Sequence, residues 1–258
     1  MKIGIVGASG LVGSYLAPFL RGKGHEVFAF NHAHLEPVPC DAVINLSGEP
    51  IAEGRWTANK KKHIFDSRVE TTQKIVAELK PKCLISASAV GYYGHRPGAV
   101  LTETSTKGTG FLPGVCEAWE KAASQSPGRV ACLRFGVILS NRGGAYAKLK
   151  QPFRFGKGDN HISWIHLHDV ARAILWVLTH ETLEGPINVC SPYPLTQRQF
   201  VETINGRSFP LPARLIHFLF GEKADGLILQ DTEVHPSRLL HSGFTFTYPT
   251  LKDALIEL

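Results

Sequence analysis

Long hydrophobic runs are missing from the sequence. No apolar stretch approaches the roughly 18 residues that a membrane-spanning helix needs, so no such helix is expected. The start of the chain is interrupted by Gly4 and Gly7 and lacks the apolar stretch and cleavage pattern of a secretory signal peptide. Five cysteines without a C-x-x-C motif predict neither a disulfide framework nor a zinc site, so no metal site is expected. These absences together predict a cytoplasmic protein with reduced thiols.

A concentration of charge of one sign is also missing. The 28 basic and 22 acidic residues give a formal charge of +6, and the excess is spread along the chain. Its one dense run, residues 60–63, is more typical of a solvated helix face than of a nucleic-acid patch. We therefore expect no nucleic-acid partner and no membrane partner. A mildly basic surface instead suits a small-molecule substrate that carries phosphates, and the oligomeric state is left open.

Short apolar strands alternate with amphipathic helices through most of the 258 residues. Strands are expected at 2–6, 25–30, 41–46, 83–87, 130–139 and 186–190. Strands that are apolar on both faces predict a mainly parallel sheet with helices on both sides. The second helix is expected to begin at the N-cap Thr57 and to bury a face that includes Phe65. After about residue 206, helical pieces broken by prolines predict a small, mainly helical C-terminal lobe, so we divide the chain into 1–205 and 206–258.

A glycine-rich loop separates the first strand from the first helix. Gly7, Gly10 and Gly13 form a G-x-x-G-x-x-G pattern. Glycines at this place allow a tight turn, close approach of a pyrophosphate to the backbone, and close packing of helix on strand. The helix N-terminus adds free N–H groups and a partial positive charge. The pattern predicts a Rossmann-type, doubly wound α/β fold that binds a dinucleotide, with a purely structural turn as the alternative. The predicted cofactor-binding residues of this loop are Gly7, Ser9, Gly10, Leu11, Val12 and Gly13.

The end of the second strand bears on the choice of dinucleotide. NAD-binding proteins usually place an acid there to hold the ribose hydroxyls. Here the strand runs from Phe30 into Asn31 and His32, with no acid at its tip. Because an acid would repel a 2′-phosphate, its absence favours NADP over NAD. We expect Asn31 and His32 to line this part of the site, although a surface histidine without a role is an equal alternative for His32.

Several motifs resemble those of the short-chain dehydrogenase/reductase superfamily. They are Ser86–Gly94, Ser163–Ala171, Asn45–Ile51, Gly54–Thr57, Ser67–Val69, Phe111–Leu112, Cys116–Glu120, Leu133–Val137 and Gly243–Phe246. All of these motifs except the first two, Ser86–Gly94 and Ser163–Ala171, are similar to one atypical branch. That branch is the sugar-nucleotide-epimerase-like family with a C-terminal extension. This resemblance implies NAD(P) binding and oxidoreductase or epimerase chemistry on a small, nucleotide-linked substrate. It implies that Ser88, Tyr92 and Tyr93 are the catalytic residues and that Leu46, Ser47 and Gly48 adjoin the cofactor.

The acid/base pair of standard family members is absent from its usual place. Those members carry Tyr-x-x-x-Lys on the helix after the serine strand, where this chain has Cys116 and Glu120. A glutamate would raise a neighbour's pKa instead of lowering it. We expect Glu120 to face the cofactor ribose, with a solvent-facing side chain as the alternative, and Cys116 to be a buried apolar residue. Tyr146 and Lys150 repeat the motif beyond the fifth strand, which is best explained as a chance match.

Two further features shape the functional hypothesis. Only ten residues lie between the second strand and Asp41, too few for the helix and strand that relatives place there. His166 and Asp169 stand at a helix start and are expected to be architectural. The leading hypothesis is an NADP-dependent oxidoreductase or epimerase-like protein. The alternative is a non-catalytic NADP-binding protein that senses the cofactor or docks a partner, which the missing tyrosine–lysine pair favours.

Overall fold

The computed structural model describes residues 1–30, 35 and 38–258, and a six-stranded parallel sheet forms its centre. The strands are β1 (Lys2–Val6), β2 (Glu26–Phe30), β3 (Ala42–Asn45), β4 (Cys83–Ala89), β5 (Val100–Leu101), β6 (Arg129–Phe135), β7 (Val137–Leu139), β8 (Phe153–Phe155), β9 (His161–Ile162), β10 (Trp164–His166), β11 (Gly185–Val189), β12 (Leu195–Thr196), β13 (Phe209–Leu211) and β14 (Glu233–Val234). The central order is β11-β6-β4-β3-β1-β2, with parallel pairing throughout.

Helices cover both faces of this sheet. They are α1 (Leu11–Gly22), α2 (Ala58–Leu79), α3 (Phe111–Ala123), α4 (Tyr146–Leu149), α5 (Leu167–Thr179), α6 (Gln197–Asn205), α7 (Ala213–Phe220), α8 (Ser237–His241) and α9 (Leu251–Ala254), with a 3₁₀ turn at Val90–Tyr93 and a π turn at Ala224–Ile228. Ile5 packs with Leu16 of α1 and Ile174 of α5, whereas Val43 packs with Ile75 of α2. The predicted doubly wound α/β fold is thereby confirmed. No helix within the described ranges is long and apolar enough to cross a membrane.

The short connection from β2 to β3 is built without a helix among its described residues. Leu35, Val38 and Cys40 pack with Phe30 in the core on the α2 side of the sheet. The Phe30 ring fills the space above Gly4, where a Cβ atom would lie 2.1 Å from Phe30 Cε2. In the described part of the chain, β2 is therefore the edge strand, as the ten-residue spacing predicts.

The segment expected to be one strand at 130–139 is two strands. β6 ends at Phe135, and β7 begins after Gly136 and pairs with β10 outside the central sheet. A Cβ atom on Gly136 would lie 2.7 Å from the carbonyl oxygen of Ser163. Only glycine allows this close approach of two backbones, so the chain leaves the sheet there and carries the following loop away from it.

The buried face of α2 differs from the expected one at Phe65, whereas the expected Val69 and Thr72 are buried. Thr57 caps the helix by accepting a hydrogen bond from the Lys60 amide, as predicted. Ile64 is fully buried, however, and Phe65 is 37% exposed, so the assignment of Phe65 to the core is wrong. Ile64, Thr72 and Ile75 form the buried stripe because they share one side of a 3.6-residue period.

The C-terminal part of the chain is joined to the rest by strand pairing and by one buried carboxylate. β13 pairs with β8, and β14 pairs with β5, so strands from both sides of residue 206 form ladders together. The fully buried Asp169 accepts hydrogen bonds from the amides of Thr247 at 2.9 Å and Tyr248 at 2.8 Å. Asp169 therefore has a structural role, as expected. The division of the chain into two parts at 205/206 stays a prediction.

Candidate functional site

The glycine loop forms a cradle at the carboxyl end of β1. Gly7 has a φ of +85°, and a Cβ atom there would lie 2.8 Å from the carbonyl carbon of Leu46. A Cβ atom on Gly13 would lie 2.3 Å from the Gly7 carbonyl oxygen. Both positions need glycine because backbone already occupies the space that a side chain would take. The result is a tight turn in which α1 and the end of β3 approach β1 closely.

The middle of the same loop is open and suited to an anion. Gly10 is the N-cap of α1, is exposed, and donates its N–H to the Gly7 carbonyl at 3.1 Å. No acidic residue lies in the first turn of α1, whose free N–H groups point out of the helix. The helix dipole adds a partial positive charge. The cradle therefore fits a dinucleotide diphosphate by geometry and by charge.

The segment after β3 is held beside the cradle by buried polar groups. Asn45 donates its side-chain N–H to the Thr72 hydroxyl at 2.8 Å, and its Oδ1 accepts from the Ser47 amide at 3.1 Å. Trp119 of α3 donates to the same Thr72 hydroxyl at 2.9 Å. Leu46, Ser47 and Gly48 are thus fixed against α2 and α3, and Leu46 contacts the Gly7 turn.

The predicted catalytic residues are in contact with a buried ion pair. Arg134 of β6 donates from Nε to Oε1 of Glu120 at 2.8 Å and from Nη2 to Oε2 at 2.7 Å. The Ser88 hydroxyl donates to the same Oε1 at 2.6 Å. The side chain of Arg134 is 3% exposed and that of Glu120 is 15% exposed. The carboxylate of Glu120 therefore points toward β4 and β6, and it forms an ion pair with a cationic side chain of the sheet.

Tyr92 and Tyr93 differ sharply in accessibility. Tyr93 is fully buried, and its hydroxyl accepts from Arg134 Nη1 at 2.9 Å and donates to Asn188 Oδ1 at 2.7 Å. Burial raises the pKa of Tyr93 to about 12, although Arg134 opposes the change, so its phenol stays protonated at neutral pH. Tyr92 is half-buried, and the Arg134 guanidinium lies 3.5 Å from its ring centroid. Its hydroxyl forms no hydrogen bond within the described residues.

Cys116 is unsuited to acid/base chemistry. The side chain is 4% exposed. Burial raises the pKa of its thiol to about 12, and the negative charge of Glu120 acts in the same direction. At neutral pH the group is therefore a protonated thiol, which agrees with the expected buried, apolar role.

The structure brings most of the predicted site residues to the carboxyl edge of the sheet. The glycine loop, Leu46–Gly48 and the 3₁₀ turn with Tyr92 follow β1, β3 and β4 respectively. Asn31 and His32 lie outside the described residues. Ser88 and Tyr93 are brought to Glu120 and Arg134, and their contact with a substrate stays a prediction. Tyr146 packs into a separate core with Trp164 and Phe200, consistent with a chance Tyr-x-x-x-Lys match.

Sequence reasoning missed Arg134 and Asn188 as members of this network. Both stand in strands that are otherwise apolar, between Leu133 and Phe135 and between Ile187 and Val189. A charged or amide side chain in a buried strand needs a polar partner, which is a usable signal. The sequence did not show that the partner of Arg134 is Glu120.

The protein is a Rossmann-type α/β protein, as its parallel strand order and its glycine cradle define. Right-handed crossovers are expected between such strands. Residues 3–113 match the NAD dependent epimerase/dehydratase family, and residues 211–258 match a domain of unknown function. An epimerase family protein of Mycobacterium bovis is 36% identical, over 98% of this chain and 96% of its own length. The chain therefore belongs to the NAD dependent epimerase/dehydratase family, which confirms the resemblance seen in its motifs.

Two solved structures are similar over the whole chain. Human epimerase family protein SDR39U1, crystallised with NADPH, is 28% identical with a TM-score of 0.91, covering 100% of this chain and 98% of that one. A nucleoside-diphosphate sugar epimerase from Corynebacterium glutamicum is 29% identical with a TM-score of 0.81. It is longer, so that the match covers 100% of this chain and 57% of the other.

Proposed function

We propose that this protein binds NADP(H) in the Gly7–Gly13 cradle and is an epimerase-like oxidoreductase that acts on a small substrate. The cradle is the observation that carries the proposal, because its open Gly10 position and free N–H groups suit a diphosphate. Human SDR39U1, a relative of matching length, was crystallised with NADPH. A nucleotide-linked sugar is the substrate class to test first, since one similar structure is that of a nucleoside-diphosphate sugar epimerase.

The preference for NADP over NAD rests on the end of β2. No acid stands at or just after Phe30, so no carboxylate would repel a 2′-phosphate there. The NADPH of the human relative supports the same choice. NAD is the less favoured cofactor. A cytoplasmic location belongs to the same proposal, and the five free cysteine thiols support it.

The roles of the chain's own residues follow from their placement. The backbone of Gly7–Gly13 and the start of α1 would hold the diphosphate, with Leu46–Gly48 beside it. A bound nicotinamide would supply hydride exchange. Tyr92 is the predicted catalytic residue whose hydroxyl forms no hydrogen bond within the described residues, and Arg134, which is paired with Glu120, lies against its ring. Ser88 stays a predicted catalytic residue, and its hydroxyl donates to Glu120 and helps to orient that carboxylate.

A non-catalytic protein that binds NADP(H) as a sensor or docking module is the second candidate. The burial of Ser88 and Tyr93 and the lack of a tyrosine–lysine pair on α3 favour it. A screen separates the two. NADPH binding is measured by fluorescence, absorbance at 340 nm follows NADPH oxidation with carbonyl compounds and NADP+ reduction with nucleotide sugars, and chromatography detects any epimerised nucleotide sugar. Turnover with any member supports the enzyme. Tight NADPH binding with no turnover across the panel favours the sensor.

Cys116→Ala will leave NADPH binding and any turnover found in that screen within a few-fold of the parent. A buried thiol with a pKa of about 12 is too weak an acid to donate its proton readily at neutral pH, and it is not deprotonated to act as a base. Ser88→Ala will lower turnover, because it removes a hydrogen bond that orients Glu120. Loss of a general acid or base typically costs about 100- to 10,000-fold. A loss of that size in Cys116→Ala, with cofactor affinity unchanged, would show that the thiol is the acid/base.

A further inference from the structure

The loop that follows β7 lies against the first turn of α1. We call residues 140–145 the 140–145 loop. It begins at the buried Ser140, whose hydroxyl accepts a hydrogen bond from the Arg142 amide at 3.0 Å. Gly144 has a φ of +84°, and a Cβ atom there would lie 2.9 Å from Leu11 Cδ2. Because Leu11 is the first residue of α1, this contact sets the loop beside the glycine cradle.

The side chain of Arg142 in this loop lies against α1. Its guanidinium carbon lies 5.2 Å from the ring centroid of Tyr15. Tyr15 follows Leu11 by four residues, so both side chains occupy one face of α1. The Tyr15 hydroxyl is hydrogen-bonded to His168 Nδ1 of α5 at 2.8 Å, so its ring lies between α1 and α5 with the Arg142 cation beside it.

The charge of Arg142 is not used in an ion pair within the described residues. The side chain is exposed, and it has no carboxylate partner among the salt bridges of this region. Glu257 is the acid nearby, since its charge acts on Tyr15 and its carbonyl accepts from the Asn141 side chain at 3.3 Å. Among the described residues, a guanidinium with no carboxylate partner thus stands in the loop beside an end of α1 that suits an anion.

We infer that Arg142 closes over the diphosphate of the bound dinucleotide, so that the 140–145 loop forms a second wall of the cofactor site. The inference rests on the proposed NADP(H) binding. A guanidinium suits this role because its planar fork matches two phosphate oxygens at once. The cradle supplies backbone N–H groups on one side of the diphosphate, and Arg142 supplies a full positive charge on the other.

Direct binding measurements test the inference. Dissociation constants for NADPH and NADH are measured by calorimetry or fluorescence for the parent, Arg142→Gln, Arg142→Lys and Arg207→Gln. Arg207 is the matched control, an exposed arginine stacked 5.4 Å from the ring centroid of Phe209 elsewhere in the fold. Arg142→Gln will weaken both dinucleotides by about tenfold, which corresponds to about 1.4 kcal/mol. Arg142→Lys will retain part of the affinity, and Arg207→Gln will match the parent.

The outcomes distinguish this inference from the proposed function. If Arg142→Gln weakens NADPH alone and leaves NADH unchanged, the contact is with the 2′-phosphate and the diphosphate assignment is overturned. Unchanged affinity of Arg142→Gln for both dinucleotides overturns the inference while leaving NADP(H) binding intact. If the parent binds neither dinucleotide, the proposed cofactor is overturned together with the inference. Unfolding of each variant without cofactor, expected to match the parent because Arg142 is exposed, verifies that the fold is retained.

Discussion

Replacing Gly10 with valine will abolish NADPH binding and leave the fold intact. Gly10 has extended backbone angles, φ −71° and ψ 174°, which valine also adopts. A Cβ atom there would lie 3.4 Å from the Gly7 carbonyl oxygen, an ordinary contact, so the side chain fits. The branched methyl groups would instead occupy the exposed space where the diphosphate must approach the backbone. A poorer N-cap typically costs about 1 kcal/mol.

Thermal unfolding with and without cofactor measures this effect. At a concentration of 100 times its dissociation constant, a ligand stabilises a protein by about 2.7 kcal/mol. The parent will show this gain with NADPH at that concentration and a smaller gain with NADH at the same concentration, and Gly10→Val will show neither. Gly22→Val is the matched control, since Gly22 lies at the other end of α1 with no atom within 4 Å of its Cβ position. Equal shifts in Gly10→Val and the parent would disprove the cradle as the cofactor site.

Arg134→Met will lower the free energy of unfolding by about 3–5 kcal/mol, because it leaves the Glu120 carboxylate in a largely buried place without its cation. The Tyr93 hydroxyl loses its donor in the same variant. Burial by itself would lower the pKa of Arg134, but the hydrogen bonds and charge of Glu120 raise that pKa overall. Glu120 therefore stabilises the charged form of Arg134. Urea unfolding without cofactor measures the loss.

A double variant separates the loss of the pair from the stranding of one partner. Glu120→Leu combined with Arg134→Met removes both charges, and buried pairs replaced by apolar residues are often close to neutral. We therefore expect the double variant to recover most of the stability lost in Arg134→Met. Arg214→Met, on the exposed side of α7, is expected to change stability by less than about 0.5 kcal/mol. A loss below about 1 kcal/mol in Arg134→Met would contradict the buried pair.

Tertiary contacts also decide what each predicted catalytic group can do. Ser88, Tyr92 and Tyr93 lie within six residues of one another and were predicted together. In the fold, Ser88 and Tyr93 direct their hydroxyls into the protein, whereas the Tyr92 hydroxyl forms no hydrogen bond with the part of the chain that the structure describes. The difference arises because Glu120 and Asn188, from other elements, accept the two inner hydroxyls.

The sequence by itself determined the features that depend on neighbouring residues. Glycine spacing after β1 predicts the cradle because local backbone sterics decide where a Cβ atom is tolerated. Alternating apolar strands and helices predict the layered sheet because each element must bury an apolar face. The ten-residue connection after β2 excludes a further helix by length alone. These constraints act within one segment of chain, so they can be read without a structure.

Only the tertiary structure decided which distant groups meet. The pairing of Arg134 with Glu120, the break at Gly136 and the exposure of Phe65 each depend on packing between elements that the sequence does not order in space. A polar side chain in an apolar strand indicates that a hydrogen-bond partner is needed. Many residues could be that partner until the packing of the sheet and helices is known. The partner is then selected by distance and burial, and this is why the cradle was predictable while the network behind Tyr92 was not.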